Sequence, residues 1–254
     1  MSAVPESFWA ALPLGRGVTL LAHDANGLAA FDKPAGVLSH PNAGGDEPRS
    51  LLTVRYALEG EFYQWTPVKG GPVLKLWLLN RLDSATSGVV LACADETLAK
   101  EIRAQFKRKQ VRKVYQALVF SAPRQPVELW QDTVAVVRKG GHIRAALNTG
   151  RVPAECKMTM VHTSRGEPRV SLLRLEPQTG RSHQLRVQCA KRHLPIVGDQ
   201  TYGNFPRNRA FAKAAATKRM FLHSLETSFD YEFNGRSHHF AAQAPLPAEF
   251  KAAF

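Results

Sequence analysis

The chain has 254 residues, of which 44% are hydrophobic and 22% are charged, and these values indicate a folded protein with a sizeable core rather than a disordered one. Its 34 Lys and Arg residues exceed its 21 Asp and Glu residues and leave a formal net charge of +13. This surplus favours a polyanionic partner, because each phosphate that is neutralised releases counterions; a merely basic protein is the alternative.

Several classes of protein are excluded by what the sequence lacks. It has no run of about 18 apolar residues that could span a membrane. Residues 1–6 do not combine a basic stretch with an apolar one, so no secretory signal is predicted. Cys93, Cys156 and Cys189 are odd in number and far apart, which indicates reduced thiols and a cytoplasmic protein. Metal and cofactor motifs such as CxxC, HExxH, the Walker loop and GxGxxG are absent, and we expect neither a metal nor a cofactor.

The first half of the chain predicts short strands and two helices. Residues 18–22 and 28–31 are expected to pair as strands around a turn at Asn26-Gly27. Ser50 is expected to cap a helix that continues to about Leu58. Apolar runs over 74–79 and 89–94 flank a polar turn over 80–88.

A second helix and a long strand follow. Asp95 is placed to cap a helix whose apolar stripe is Leu98, Ile102 and Phe106, each four residues from the next. A strand is predicted over residues 111–120.

The second half of the chain is predicted to be rich in strands, over residues 134–137, 156–161 and 170–175. A helix is expected from about Ser182 to Lys191, and a final strand pair over 221–229 and 231–240. These elements predict an α+β fold, in which one mixed, largely antiparallel central sheet has flanking helices and a cleft between two lobes. No linker is evident, so residues 1–254 are expected to form a single catalytic domain.

Basic residues concentrate in two segments, residues 100–115 and 181–219. Taken singly, each segment is interpreted as ordinary solvated surface, on a helix face or in a loop, just as well as a phosphate-binding surface. Two such segments in a protein of charge +13 favour a surface that follows phosphates. Such contacts position a nucleic acid without reading its sequence.

Asp83 and Arg181 are the most suggestive charged side chains. Asp83 lies in a polar turn between two apolar runs, where an aspartate by itself is more often a turn or capping residue. Arg181 lies where the next helix should begin, although a cation there opposes the helix dipole. An arginine beside an aspartate keeps the acid ionised and able to attack an electrophilic carbon. A surface arginine is the alternative.

Tyr115 ends the first basic segment on a predicted strand. By itself it is most simply a half-buried core residue. The alternative is a platform on which a base stacks, delivered by the neighbouring cations.

Taken together, these segments resemble the RluA-type family of RNA pseudouridine synthases. The matching pieces occur in the family's order from about residue 17 to residue 230. They are DKPAGV at 32–37, RLDSATSG at 81–88, KVY at 113–115, TGRSHQLR at 179–186, GDQTYG at 198–203 and LH at 222–223.

The resemblance implies an isomerase that converts uridine within structured rRNA or tRNA to pseudouridine without a cofactor. Asp83 matches the catalytic aspartate, whose detailed role the sequence leaves open, and Arg181 the arginine that pairs with it. Tyr115 matches the tyrosine that stacks on the target uracil and helps to remove the proton from carbon 5. The resemblance also implies four substrate-binding residues: Arg81, Leu185, Lys113 and Arg186. Arg81 is implied to fill the place in the RNA stack that the flipped base vacates, and Leu185 to line the base pocket.

The chain departs from the family's pattern at two places. Asn80 stands where the family usually has histidine before RLD, and asparagine can form hydrogen bonds but cannot titrate. Residues 1–16 are too few for the small N-terminal RNA-binding domain of many relatives, so substrate choice is expected from the catalytic domain or from loops over 205–219.

The alternative to an active enzyme is a non-catalytic RNA-binding or ribosome-assembly factor that keeps the fold. An RNA-cleaving hydrolase is disfavoured, because the sequence shows no clustered carboxylates or metal ligands. We expect the protein to bind structured RNA, to bind no membrane and to be a monomer.

Overall fold

The computed structural model describes residues 3–139, 142–147 and 150–252, and these form two compact units. Unit 1 comprises residues 1–111 and 226–244, and unit 2 comprises residues 112–225 and 245–254. No helix in the described part of the chain is both long enough and apolar enough to cross a membrane.

Unit 1 is built on short antiparallel strands with two helices. Its strands are β1 Thr19–His23, β2 Leu28–Lys33, β3 Tyr56–Ala57, β4 Phe62–Trp65, β5 Leu74–Leu78, β6 Ser87–Cys93, the C-terminal part of β12 Leu222–Phe233, and β13 Arg236–Gln243. Its helices are α1 Glu6–Ala10 and α2 Glu96–Lys107, and a 3-10 helix covers Glu47–Arg49. The pairs β1–β2, β2–β6, β6–β5, β5–β4, β4–β3 and β12–β13 are all antiparallel.

The core of unit 1 lies between its sheet and α2. The Asp95 carboxylate accepts a hydrogen bond from the Leu98 amide at 2.8 Å, which satisfies one of the free N–H groups at the helix start. Leu98 and Ile102 are fully buried in the core, and Phe106 packs against it, as the four-residue spacing predicts.

Unit 2 contains a second run of antiparallel strands that carries helices. Its strands are β7 Arg112–Phe120, β8 Val127–Lys139, β9 His142–Leu147, β10 Val152–Thr163 and β11 Val170–Pro177, with the N-terminal part of β12. Its helices are α3 Gln184–Lys191, α4 Phe205–Ala214 and α5 Ala248–Lys251. The order β7-β11-β10-β8-β9 is antiparallel throughout. The α+β fold with a largely antiparallel sheet is therefore confirmed, while the cleft and the single catalytic domain stay predictions.

The predicted helix from Ser50 to Leu58 is wrong. Ser50 instead ends the 3-10 helix, and its hydroxyl donates to the Asp46 carbonyl at 2.9 Å. Leu51 and Leu52 are both fully buried, and the Leu51 amide bonds to the Leu38 carbonyl at 2.8 Å. Two adjacent buried leucines do not fit the single apolar stripe of a surface helix. Contacts with the distant segment around Leu38 therefore determine the backbone conformation here.

Two further boundaries differ from expectation. The last hairpin turns at Asn234-Gly235, both with positive φ, rather than near Asp230. The expected loop over 205–219 contains α4, which the Asn204 carboxamide caps by accepting from the Arg207 amide at 3.0 Å.

Candidate active site

The turn between β5 and β6 carries Asp83, and the side chains of Ser39, which is buried, and Asn80, which is half-buried, hold the backbone around it. The Ser39 hydroxyl accepts from the Leu82 amide and donates to the Leu82 carbonyl, both at 2.9 Å. The Asn80 side-chain oxygen accepts from the Leu91 amide at 2.7 Å. These hydrogen bonds therefore fix the backbone from which the side chains of Arg81 and Asp83 extend. Asn80 serves here as a hydrogen-bond acceptor, a role that needs no titrating group.

A buried lysine holds the other end of the same turn. Lys33, on β2, is fully buried, and its ammonium donates to the carbonyls of Val37 at 2.7 Å, Pro34 at 3.0 Å and Ser84 at 3.2 Å. The Gly36 amide also donates to Ser84, at 2.7 Å, from a backbone with φ of +92° that favours glycine. The segment 33–37 thus holds the carbonyl of Ser84, the residue that follows Asp83.

The alternation of burial through this turn directs two polar side chains outward. Leu82 is buried, whereas Arg81 is exposed and Asp83 is half-buried. The Arg81 guanidinium lies 3.1 Å from the Glu61 carboxylate. The Asp83 carbonyl accepts from the Thr86 amide at 3.0 Å, so the whole turn is restrained around the carboxylate.

In unit 2, β7 carries Lys113 and Tyr115 on one face, because side chains two residues apart on a strand point the same way. Tyr115 is half-buried and stands opposite Leu175 of β11. Lys113 is 9% exposed, and burial, together with the charge of Arg181, lowers its pKa to about 8, although Cys156 acts in the opposite direction. Lys113 and Arg181 therefore contribute to one positive region of unit 2.

The segment that precedes α3 is organised by a buried glutamine. The Gln184 side-chain oxygen accepts from the Thr179 hydroxyl at 2.7 Å and from the Arg181 amide at 3.1 Å. The Arg181 side chain is exposed and donates to the Pro153 carbonyl at 3.1 Å. Leu185 is 7% exposed and supplies apolar surface beside this loop.

Arg186 forms a buried ion pair. Its guanidinium donates to both oxygens of Asp199, at 2.8 and 2.9 Å, and stacks 5.2 Å from the centre of the Tyr202 ring. Burial acts to raise the pKa of Asp199, but the hydrogen bonds and charge of Arg186 lower it below the ordinary value. These contacts make Arg186 a residue that positions α3, and direct substrate binding by it stays a prediction.

The predicted site residues divide between the two units. Asp83 and Arg81 belong to unit 1, and the other five belong to unit 2: Lys113, Tyr115, Arg181, Leu185 and Arg186. The supporting residues Ser39, Lys33 and Asp199 received no role from the sequence. Lys33 and Asp199 nevertheless lie within matched family segments, which is a signal that could have pointed to them.

Comparisons with known proteins identify the family of this chain. Residues 27–191 match the family model described as RNA pseudouridylate synthase. The protein named tRNA pseudouridine synthase C of Vibrio cholerae serotype O1 is 29% identical over 214 residues, which cover 81% of this chain and 83% of that one. An uncharacterized RNA pseudouridine synthase of Mycobacterium bovis is 30% identical over 237 residues, which cover 93% and 72%.

A solved structure shares the fold. Human RNA Pseudouridylate Synthase Domain Containing 1 superposes with a TM-score of 0.66 at 21% identity, and the match covers 92% of this chain and 87% of the human one. The family model spans more than half of this chain and includes the Asp83 turn, the Tyr115 strand and the Arg181 loop. This chain therefore belongs to the RNA pseudouridylate synthase family, as its resemblance to the RluA type predicts.

Proposed function

We propose that this RNA pseudouridine synthase uses Asp83 as its catalytic carboxylate and acts on a uridine that has been swung out of structured RNA. The observation that carries the proposal is the restrained turn of unit 1. Ser39 holds the peptides on both sides of Leu82 and Lys33 holds the Ser84 carbonyl, while the Asp83 side chain is left half-buried. A carboxylate that must meet a reacting carbon needs such preorganisation, because small displacements are costly in rate.

The reaction is an isomerisation. The bond between N1 of uracil and C1′ of ribose breaks, a bond between C5 and C1′ forms, C5 loses its proton and N1 gains one. Substrate and product contain the same atoms, so the balance needs no co-reactant. Asp83 supplies a carboxylate at the reacting nucleoside, and extrusion of the base from its stack costs a few kcal/mol that the binding energy must offset.

The residues of unit 2 supply the remaining roles in this proposal. Tyr115 stacks on the extruded uracil and Leu185 gives the pocket an apolar wall. Lys113 and Arg181 provide positive charge, which attracts the RNA backbone. Arg81 occupies the gap that the extruded base leaves in the RNA stack.

Transfer RNA is the substrate that we propose to test before ribosomal RNA. Relatives from Vibrio cholerae and Salmonella typhi are both named tRNA pseudouridine synthase C. The formal charge of +13 fits a structured polyanion of either kind. We propose a monomer as the active species.

The test replaces the carboxylate by its uncharged isostere. Total RNA from cells that lack this gene is incubated with wild-type protein, with Asp83→Asn, or with Asp230→Asn as a control at an exposed aspartate of the last hairpin. Pseudouridine is then mapped at single-nucleotide resolution. We expect new sites with wild type and with the control, and none with Asp83→Asn, although all three bind RNA.

Two results would contradict the proposal. If wild-type protein binds RNA but forms no pseudouridine, a non-catalytic RNA-binding factor would describe the chain better. If Asp83→Asn modifies RNA at the wild-type rate, the carboxylate is not the catalytic group. The comparisons do not favour the non-catalytic alternative, since the matched family and relatives carry the names of synthases.

A further inference from the structure

Helix α4 is attached to unit 2 by one face. Phe211 is buried in an apolar cluster with Phe120 and Phe221. Asn208 is 6% exposed; its side-chain oxygen accepts from the Gly198 amide at 2.8 Å and its amide group donates to the Asp199 carbonyl at 2.9 Å. These contacts fix the orientation of the helix on unit 2, so the same residues always form its outer face.

The opposite face carries an aromatic ring and two cations in a row. Phe205, Arg209 and Lys213 are spaced four residues apart, and all three are exposed. Four residues of α-helix rise about 6 Å, so the three side chains form one continuous stripe. Phe205 is 47% exposed, so its ring is accessible to a ligand at one end of the row.

The surrounding segment has one sign of charge. Residues 200–225 contain five cations and no Asp or Glu. Two of the cations are engaged within unit 2: Arg207 lies 4.4 Å from the centre of the Phe120 ring, and Arg219 lies 3.5 Å from the Glu249 carboxylate. The other three are exposed, and no residue that the structure describes forms an ion pair with them: Arg209, Lys213 and Lys218.

The exposed cations are not needed for the packing of unit 2, so a structural role does not account for them. Residues 214–216 between Lys213 and Lys218 are all alanine and exposed, and a ligand backbone can approach there without obstruction. A row of cations that ends in an aromatic ring is suited to bind nucleic acid, because cations contact the phosphates and unpaired bases stack on aromatic rings.

The stripe is also coupled to the proposed base pocket. Asn208 of α4 holds the Asp199 carbonyl, and the Asp199 carboxylate holds Arg186 of α3, next to Leu185. Both links are buried, so an RNA strand held on α4 has a fixed position relative to α3. Such a link converts binding energy outside the target nucleotide into correct placement of that nucleotide.

We propose that the outer face of α4 and the residues after it, comprising Phe205, Arg209, Lys213 and Lys218, form a docking surface for the RNA substrate away from the target uridine. The cations contact phosphates, and Phe205 stacks on an unpaired base. The inference rests on the proposed function and extends it from the reacting nucleotide to the way in which the protein selects a structured RNA.

The test removes three charges at this surface and compares the loss with three charges removed elsewhere. The docking variant is Arg209→Gln/Lys213→Gln/Lys218→Gln. The control replaces three other exposed cations by Gln and has the same net charge: Lys69, Arg236 and Lys251. Affinity for unmodified bulk tRNA is measured by fluorescence anisotropy from 50 to 300 mM salt, and kcat/KM is measured on the same RNA.

We expect the docking variant to bind bulk tRNA about tenfold more weakly than the control at 150 mM salt, and its log–log salt dependence to be shallower by about two to three, because each phosphate contact contributes about 0.7–0.9. The loss in kcat/KM should appear as a raised KM. Phe205→Ala should weaken binding several-fold without changing the salt slope, and Phe205→Trp should retain affinity.

The outcomes separate this proposal from the proposed function. If wild-type protein forms pseudouridine and the docking variant matches the control in affinity, slope and KM, the docking surface is refuted while the function stands. If the surface binds an acidic protein instead of RNA, the docking variant would likewise match the control in RNA affinity, salt slope and KM. If the docking variant loses affinity as expected but wild-type protein forms no pseudouridine, the surface stands and the function fails.

Discussion

Removal of the Ser39 hydroxyl tests most directly how unit 1 positions Asp83. Its side chain is buried and forms two hydrogen bonds of 2.9 Å to the amide and carbonyl of Leu82. Ser39→Ala leaves both backbone groups without that partner, and a buried unsatisfied group costs about 1–3 kcal/mol. With partial relief by water, we expect a loss of about 2–3 kcal/mol and a decrease in Tm of about 5–10 °C.

The same substitution should reduce catalysis more than RNA binding. Leu82 directly precedes Asp83, and a misplacement of about 1 Å at a reacting group can cost about 100-fold in rate. We expect kcat to fall by about 10- to 100-fold, with Kd for RNA unchanged within twofold. The assay is pseudouridine formation in unmodified RNA under single-turnover conditions, at least 10 °C below the Tm of the variant.

Two controls distinguish position from stability. Ser237→Ala removes an exposed hydroxyl from β13 and should change neither quantity. Phe240→Leu makes a cavity in the core of unit 1 and should lower Tm without lowering kcat. A Ser39→Ala protein with wild-type kcat, or with a loss no larger than that of Phe240→Leu, would refute the view that this hydroxyl positions Asp83.

The remaining predictions concern three other polar side chains. Asn80→Leu should destabilise the protein by about 1–2 kcal/mol and lower kcat, whereas Asn80→Asp keeps an acceptor for the Leu91 amide; urea unfolding with kcat measurements checks this. Asp199→Asn leaves the charge of Arg186 buried, and we expect urea unfolding to show a loss of about 3–5 kcal/mol. In the folded protein the pKa of Lys113 is about 8, below the ordinary lysine value of 10.5. The buried charge therefore destabilises the folded state fully below pH 8, and this penalty fades between pH 8 and 10.5. Affinity for RNA should fall with a midpoint near pH 8 as the ammonium is lost, and Lys113→Arg should remove that midpoint.

Local patterns allowed several parts of the structure to be predicted. Asp95 and the stripe that follows it locate α2, because capping and periodicity depend on residues only a few positions apart. The long apolar strand near 111–120 and the pair around Asn26-Gly27 were predicted for the same reason. The polar turn around Asp83 is marked by its composition between two apolar runs.

Other parts depend on contacts between distant residues. Ser39 holds a peptide 43 positions away, and Lys33 reaches a carbonyl 51 positions away. Ser50 looks like a helix cap in its local context, but Leu51 beside it bonds to Leu38 and no helix forms. Arg186 belongs to a basic segment in the sequence, yet it is buried against Asp199.

The amino-acid sequence by itself determined the family, the α+β character and the placement of Asp83 in a polar turn between two strands, because these follow from ordered motifs and from patterns within a few residues. The tertiary structure decided which polar side chains serve as supports, such as Ser39 and Asp199, and which cations remain exposed on α4. Those assignments follow from burial and from partners far away in the chain, since a hydrogen bond or ion pair is strong only when folding has removed water from it.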